Sequence, residues 1–170
     1  MVKLRWSLII KVILQRLKQL KKTIEVNWQN FFPSMKYGTI IPDDEILFKY
    51  AKKEAFPSGQ EEIPSSIFND SELSCDWRRF RNNPLTSFHI AEGKTVVIAI
   101  NVCDDIRNPK NPKRTGQIVE DWKQEIIYAP VTTEEDPKHG ANDAHSLIKG
   151  KKKSAVIDAI RKNSKLIHKV

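Results

Sequence analysis

Several groups of side chains in this chain could do chemistry. Asp76 stands sixteen residues before Glu92-Gly93-Lys94. An acidic residue followed by Glu-x-Lys can gather carboxylates around a divalent cation and add a lysine, as some nucleases do. That chemistry needs Glu-x-Lys inside a strand, and Gly93 favours a turn. His139 and His145 flank Asp143, a set suited to acid–base or metal chemistry. Their separation of six residues fits neither i, i+3 nor i, i+4 on a helix. No third ligand follows by spacing, so no metal and no cofactor is expected. Cys75 or Cys103 could act as a nucleophile beside a His–Asp pair. Two thiols without a Cys-x-x-Cys read more simply as buried free cysteines.

The cations form two further groups. Gly150-Lys151-Lys152-Lys153-Ser154 falls between an expected strand and an expected helix. Free N–H groups at a helix start bind anions, and lysines there oppose the helix dipole, so a phosphate or nucleic-acid backbone would relieve them. A solvated basic turn screened by salt is the plainer reading. The phosphate-loop pattern is absent, because His145 stands where its first glycine belongs. Arg78, Arg79 and Arg81 interleave with Trp77 and Phe80, and Lys110, Lys113 and Arg114 lie in a second basic stretch. Cations with aromatics between them suit backbone tracking and base stacking. The alternative is that the aromatics are core and the cations solvated.

The elements that must position these groups follow from periodicity. Trp6, Ile10, Ile13, Leu17, Leu20 and Ile24 recur at alternating spacings of four and three, which predicts a helix over 3–24 with a heptad seam. Leu8, Ile9, Val12 and Leu14 widen its apolar surface, so it must pack on its own domain, a partner or a membrane surface. Asp43-Asp44-Glu45 followed by Ile46, Leu47, Tyr50 and Ala51 predicts a second helix over 43–55. Residues 57–86 read as a long surface segment with one helical turn, pinned by Ile63, Ile67, Phe68 and Leu73. Phe88–Ile100 reads as a hairpin turning at Glu92-Gly93-Lys94. Two prolines make 107–116 an irregular basic loop. Strands are expected at Glu125–Ala129 and Asp143–Ile148, and a helix over 151–167. The fold class is therefore α+β: a small mixed or antiparallel sheet from about 86–148, packed by two helices and preceded by the N-terminal amphipathic helix. Residues 1–40 form a helical extension and 41–170 the domain.

The 170 residues, 39% apolar and 29% charged, suffice for a buried core without disulfides. The net charge of +8 is unevenly spread. Residues 1–25 hold seven Lys/Arg against one Glu, 26–105 are net acidic, and 106–170 are again basic. Two basic ends suit an anionic partner. Lys11 breaks the apolar run from Trp6 to Leu14, and no small-residue cleavage site follows it. A secretory leader is not expected, and a cytoplasmic location is.

Ser65-Ser66-Ile67-Phe68, Leu73-Ser74-Cys75-Asp76 and Asp143-Ala144-His145-Ser146-Leu147-Ile148-Lys149-Gly150 resemble segments shared by a group of small uncharacterised bacterial proteins. Those proteins carry Ser-Ser-x-x-Phe…Leu-Ser-x-Asp and a late Asn-x-x-His-x-x-Ile-x-Gly. The resemblance spans roughly residues 41–167. Cys75 and the Asp143 region depart from the pattern. It implies a shared fold unit, and it makes Ser66, Asp76 and His145 candidates for one catalytic site.

The leading expectation is a non-enzymatic accessory or adaptor subunit that docks on a larger prokaryotic assembly, or on itself, through helix 3–24. The alternatives are nucleic-acid binding by 107–116 and the Gly150–Ser154 turn, and a hydrolase or nuclease using Asp76 and His145. A membrane-surface role for the helix, from Trp6 and its lysines, ranks lower. Deleting residues 1–25 should abolish assembly in gel filtration and leave the remainder folded. Aggregation of the truncated protein would instead make the helix part of the core.

Overall fold

The computed structural model describes residues 35–57, 62–113 and 116–169, together with Arg16. The helix expected over 3–24 and the seam from Trp6 to Ile24 lie outside the described residues, and so does Arg114. The chain divides into two compact units, Met1–Met35 and Lys36–Val170.

The second unit is an α+β domain built on one six-stranded antiparallel sheet. Its strands are β1 (Ile46–Ala51), β2 (Glu72–Trp77), β3 (Val96–Asn101), β4 (Glu125–Tyr128), β5 (His145–Lys149) and β6 (Ser164–Lys169). They lie in the order β4-β5-β2-β1-β3-β6. The helices are α1 (Phe88–Ala91), α2 (Asp104–Arg107) and α3 (Ser154–Lys162). Outside β4, the segment from Gly38 to Ile41 hydrogen-bonds along the strand, with Gly38 N to Tyr128 O at 2.9 Å and Ile41 N to Ile126 O at 3.0 Å. It covers what would be a bare sheet edge.

Four expectations are corrected. Residues 46–51 are not helical but form a central strand, paired to β2 on one side and β3 on the other. Ile46, Phe48 and Tyr50 line one face while Leu47 is buried on the other, and a strand buried on both faces mimics the apolar spacing of a helix. The acids before it do not open a helix. Asp44 is a turn residue at φ 66°, Asp43 binds Arg107, and Glu45 takes the Trp77 indole N–H at 2.8 Å. Residues 57–86 are not all surface, because β2 runs through them between β5 and β1. The hairpin over 88–100 is half right. Glu92-Gly93 does turn, with Gly93 at φ 84°, but Phe88–Ala91 is one helical turn and β3 alone is strand. The C-terminal helix stops at Lys162, where the Asn163 amide and the Ser164 hydroxyl cap the carbonyls of Ala159 and Ile160. Residues 164–169 then alternate between half-buried and exposed as β6.

Leu73, Cys75 and Trp77 are buried on one face of β2, beside Ile148 and Ser146 of β5. Val156 and Ile160 of α3, four residues apart, are fully buried. On the opposite face β2 carries Ser74 and Asp76, with His145 and Leu147 beside them on β5. This second face holds the cavity described below.

Gly150 joins β5 to α3 with φ 140°, and a Cβ there would stand 2.6 Å from the Gln124 amide and 2.7 Å from the Lys123 carbonyl. Gly150→Ala combines strain with overlap and should cost roughly 2–5 kcal/mol, read from a urea melt. A melt unchanged from the parent would show that the Lys123–Gln124 segment gives way freely.

Candidate functional site

β2 and β5 run antiparallel with Asp76 opposite His145 and Ser74 opposite Leu147. That register puts Ser74, Asp76 and His145 on one face, since residues two apart on a strand share a side. The His145 ring bridges two elements. Its Nδ1 lies 2.6 Å from the Ala129 carbonyl, just beyond β4, and its Nε2 lies 3.0 Å from Ser74 Oγ. A carbonyl oxygen can only accept, so Nδ1 carries the proton. In the neutral ring, Nε2 then accepts from the Ser74 hydroxyl. Both side chains are half-buried and line a cavity of about 280 Å³.

The other walls come from α1, the turn after it and the loop between β4 and β5. His139 stacks on Phe88 with ring centres 4.7 Å apart. Its Nδ1 meets Asp136 Oδ2 at 2.8 Å, and its Nε2 meets Glu92 Oε1 at 2.7 Å. Lys138 reaches the same Glu92 oxygen at 3.0 Å. Glu92 is held below the usual carboxylate range by Lys138 first and His139 next, and Asp136 by His139. His89 packs on Phe88 and Tyr50, and its Nδ1 lies 3.2 Å from Lys94 Nζ. Burial, and then the Lys94 charge, push His89 down to about 4, so its ring is neutral at pH 7.

Asp76 is fully buried but does not face the cavity chemistry. One oxygen takes the Ser87 hydroxyl at 3.0 Å and stands 2.5 Å from Arg81 Nε, and the other takes the Asn142 amide at 2.9 Å. Arg81 also donates to Asn142 Oδ1 at 3.0 Å. The carboxylate is thus fully engaged as a structural ion pair. Ser66 is exposed on the 3-10 turn Ser65–Phe68, which packs against α3, and it does not line the cavity. Of the three catalytic candidates, His145 alone presents its side chain there. Ser74 was passed over, yet alternation of Leu73, Cys75 and Trp77 with Glu72, Ser74 and Asp76 is legible at period two.

Cys75 is buried, and burial pushes its thiol up to about 12. Asp143 is exposed, and Cys103 is half-buried outside the cavity lining. Among the described residues, no three His, Cys, Asp or Glu side chains are grouped to hold a metal ion.

The expected anion-binding cations are dispersed. Arg81 is committed to Asp76, and Arg79 lies over the Trp77 ring and pairs with Glu45. Lys152 turns inward and donates to Gln124 Oε1 at 2.7 Å and to the Ile148 and Gly150 carbonyls at 3.0 Å. Burial pushes its ammonium down to about 8. Lys151 pairs with Asp121 at 3.2 Å. Arg78, Lys110, Lys113 and Lys153 are exposed, and Gly150 is half-buried. A larger cavity of about 790 Å³ between α3 and β6 is lined by Arg161, Lys162 and Lys165 among others, and it contains no histidine. Among the described residues no helix is long and apolar enough to cross a membrane.

No protein-family model matches this chain, and no match was found among curated proteins or solved structures.

Because Asp76 neutralises a mostly buried arginine, Asp76→Asn should cost about 3–5 kcal/mol and lower the melting temperature. Retained stability in calorimetry, with loss of a cavity-dependent property alone, would return Asp76 to the chemistry.

Proposed function

We propose that this chain is a hydrolase that uses Ser74 as nucleophile and His145 as general base. The observation that carries the reading is the Ser74 Oγ to His145 Nε2 hydrogen bond of 3.0 Å at a cavity wall, with the far side of the ring fixed on the Ala129 carbonyl. Nucleophile, base and orienting group within hydrogen-bond reach are the shared geometry of serine catalysis on unrelated folds. Here a backbone carbonyl takes the place usually held by a carboxylate. Its dipole sets the tautomer and favours the imidazolium that forms.

In the reaction the Ser74 hydroxyl gives its proton to His145 Nε2 as Oγ bonds the substrate's acyl carbon. The bond from that carbon to the leaving group breaks, and the imidazolium returns the proton to the departing atom. Water, giving a proton to the same ring, then attacks the acyl carbon, the bond from that carbon to Oγ breaks, and the imidazolium returns the proton to Ser74 Oγ. Holding the tautomer in advance removes one reorientation from the barrier.

The docking role expected of residues 3–24 concerns the other unit and is a separate proposal, compatible with this one. Binding of nucleic acid has less support, because Arg79, Arg81, Lys151 and Lys152 already have partners within the protein.

The test is covalent labelling of the full chain with a fluorophosphonate, followed by turnover of p-nitrophenyl esters. Label should sit on Ser74, Ser74→Ala should abolish it, and His145→Ala should slow turnover about 10²–10⁴-fold with circular dichroism unchanged. A wild-type chain that neither labels nor turns over esters would sink the reading.

A further inference from the structure

Lys94 lines the cavity. Its ammonium is half-buried at the cavity wall, and its polar contact is the neutral His89 ring at 3.2 Å. Glu92, two residues before it, is the natural counter-ion, yet Glu92 is taken by Lys138 and His139. Among the described residues no carboxylate forms an ion pair with Lys94, Lys49 or Lys52. Lys49 and Lys52 oppose the charge on Lys94, and the Glu92 and Asp76 carboxylates offset them in part without forming an ion pair with it. Burial first, and then Lys49, hold the ammonium below the usual lysine range. A desolvated cation without an ion-pair partner is costly unless an anion joins it. The position is the same cavity wall that carries Ser74 and His145.

We infer that Lys94 is the cation of an oxyanion-binding subsite that holds a carboxylate or phosphate of the molecule cleaved at Ser74. The assignment of that anion to a substrate rests on the hydrolase reading, whereas the subsite itself does not. His89 serves as positioning residue. Its neutral Nδ1 accepts one ammonium proton, and the remaining two are left to aim at the ligand. The ring is kept neutral by its burial against Phe88 and Tyr50.

The experiment titrates the full-length protein with inorganic phosphate, and separately with acetate, while following the imidazole ¹⁵N shifts of His89 by NMR. Saturable movement of His89 is the expected result, and tighter binding of phosphate than of acetate would mark the ligand as a phosphate ester. Acetate binding at least as tightly would mark it as a carboxylate. Lys94→Met should weaken binding roughly 10–100-fold, the worth of one charge-assisted contact, and Lys94→Arg should restore most of it. Ser74→Ala should bind phosphate as the parent does. Absence of saturable binding of either anion, or equal affinity in the parent and a folded Lys94→Met, overturns the subsite. Phosphate binding in a chain whose Ser74 takes no label would preserve the subsite and reject the hydrolase. Labelling without anion binding would do the reverse.

Discussion

A carboxylate with no access to water must be neutralised, and Asp76 imposes that constraint on the middle of this sheet. It is fully buried on β2, and its three partners come from two stretches: Arg81 and Ser87 from the segment after β2, and Asn142 from the loop before β5. Arg81 closes the set by reaching Asn142 as well. Such a network is strong when complete and costly when any member is lost. Its consequence is positional. It draws the stretch leading into α1 and the loop leading into β5 onto one sheet face, and these supply the walls around Ser74 and His145.

The loop between β4 and β5 is fastened twice more. Val131 and Asn142 bridge at its base, and His139 is clasped between Glu92 and Asp136 while lying on Phe88. The cavity therefore has its mouth set by hydrogen bonds and ring contacts and its floor by the sheet. At the far end of β5, Lys152 gathers the Ile148 and Gly150 carbonyls, and Gly150 lets the chain pass against Lys123 and Gln124. The strand that carries His145 is thereby held at both ends, as a base needs if its nitrogen is to stay on the Ser74 hydroxyl.

The three histidines around the cavity receive three different environments. His89 is desolvated and faces an ammonium, so it stays neutral. His139 faces a carboxylate at each nitrogen. His145 faces a carbonyl and a hydroxyl, which fixes its tautomer and leaves its lone pair toward the serine. Environments that differ this much are what separate acids, bases and spectators in one small site.

The sequence by itself determined the elements whose signals are local. Thr95–Ile100, Glu125–Ala129 and Asp143–Ile148 read as strands and Gly93 as a turn, and the folded chain has strands at Val96–Asn101, Glu125–Tyr128 and His145–Lys149. The sequence also singles out Asp76, as an acid ahead of Glu92-Gly93-Lys94, and His145, as one of two histidines flanking Asp143. Tertiary structure decided the rest. Residues 46–51 are a strand because two neighbours pair with them, which no local spacing reveals. β2 was hidden because its Asp76 is buried, and burial of an acid depends on an arginine and an asparagine elsewhere in the chain. Most of all, Ser74 and His145 meet across 71 residues of sequence, through the register of β2 against β5. A one-residue slip would turn either side chain to the other face. Register is set by the packing of both faces together, so the pairing belongs to the folded sheet and to no single segment.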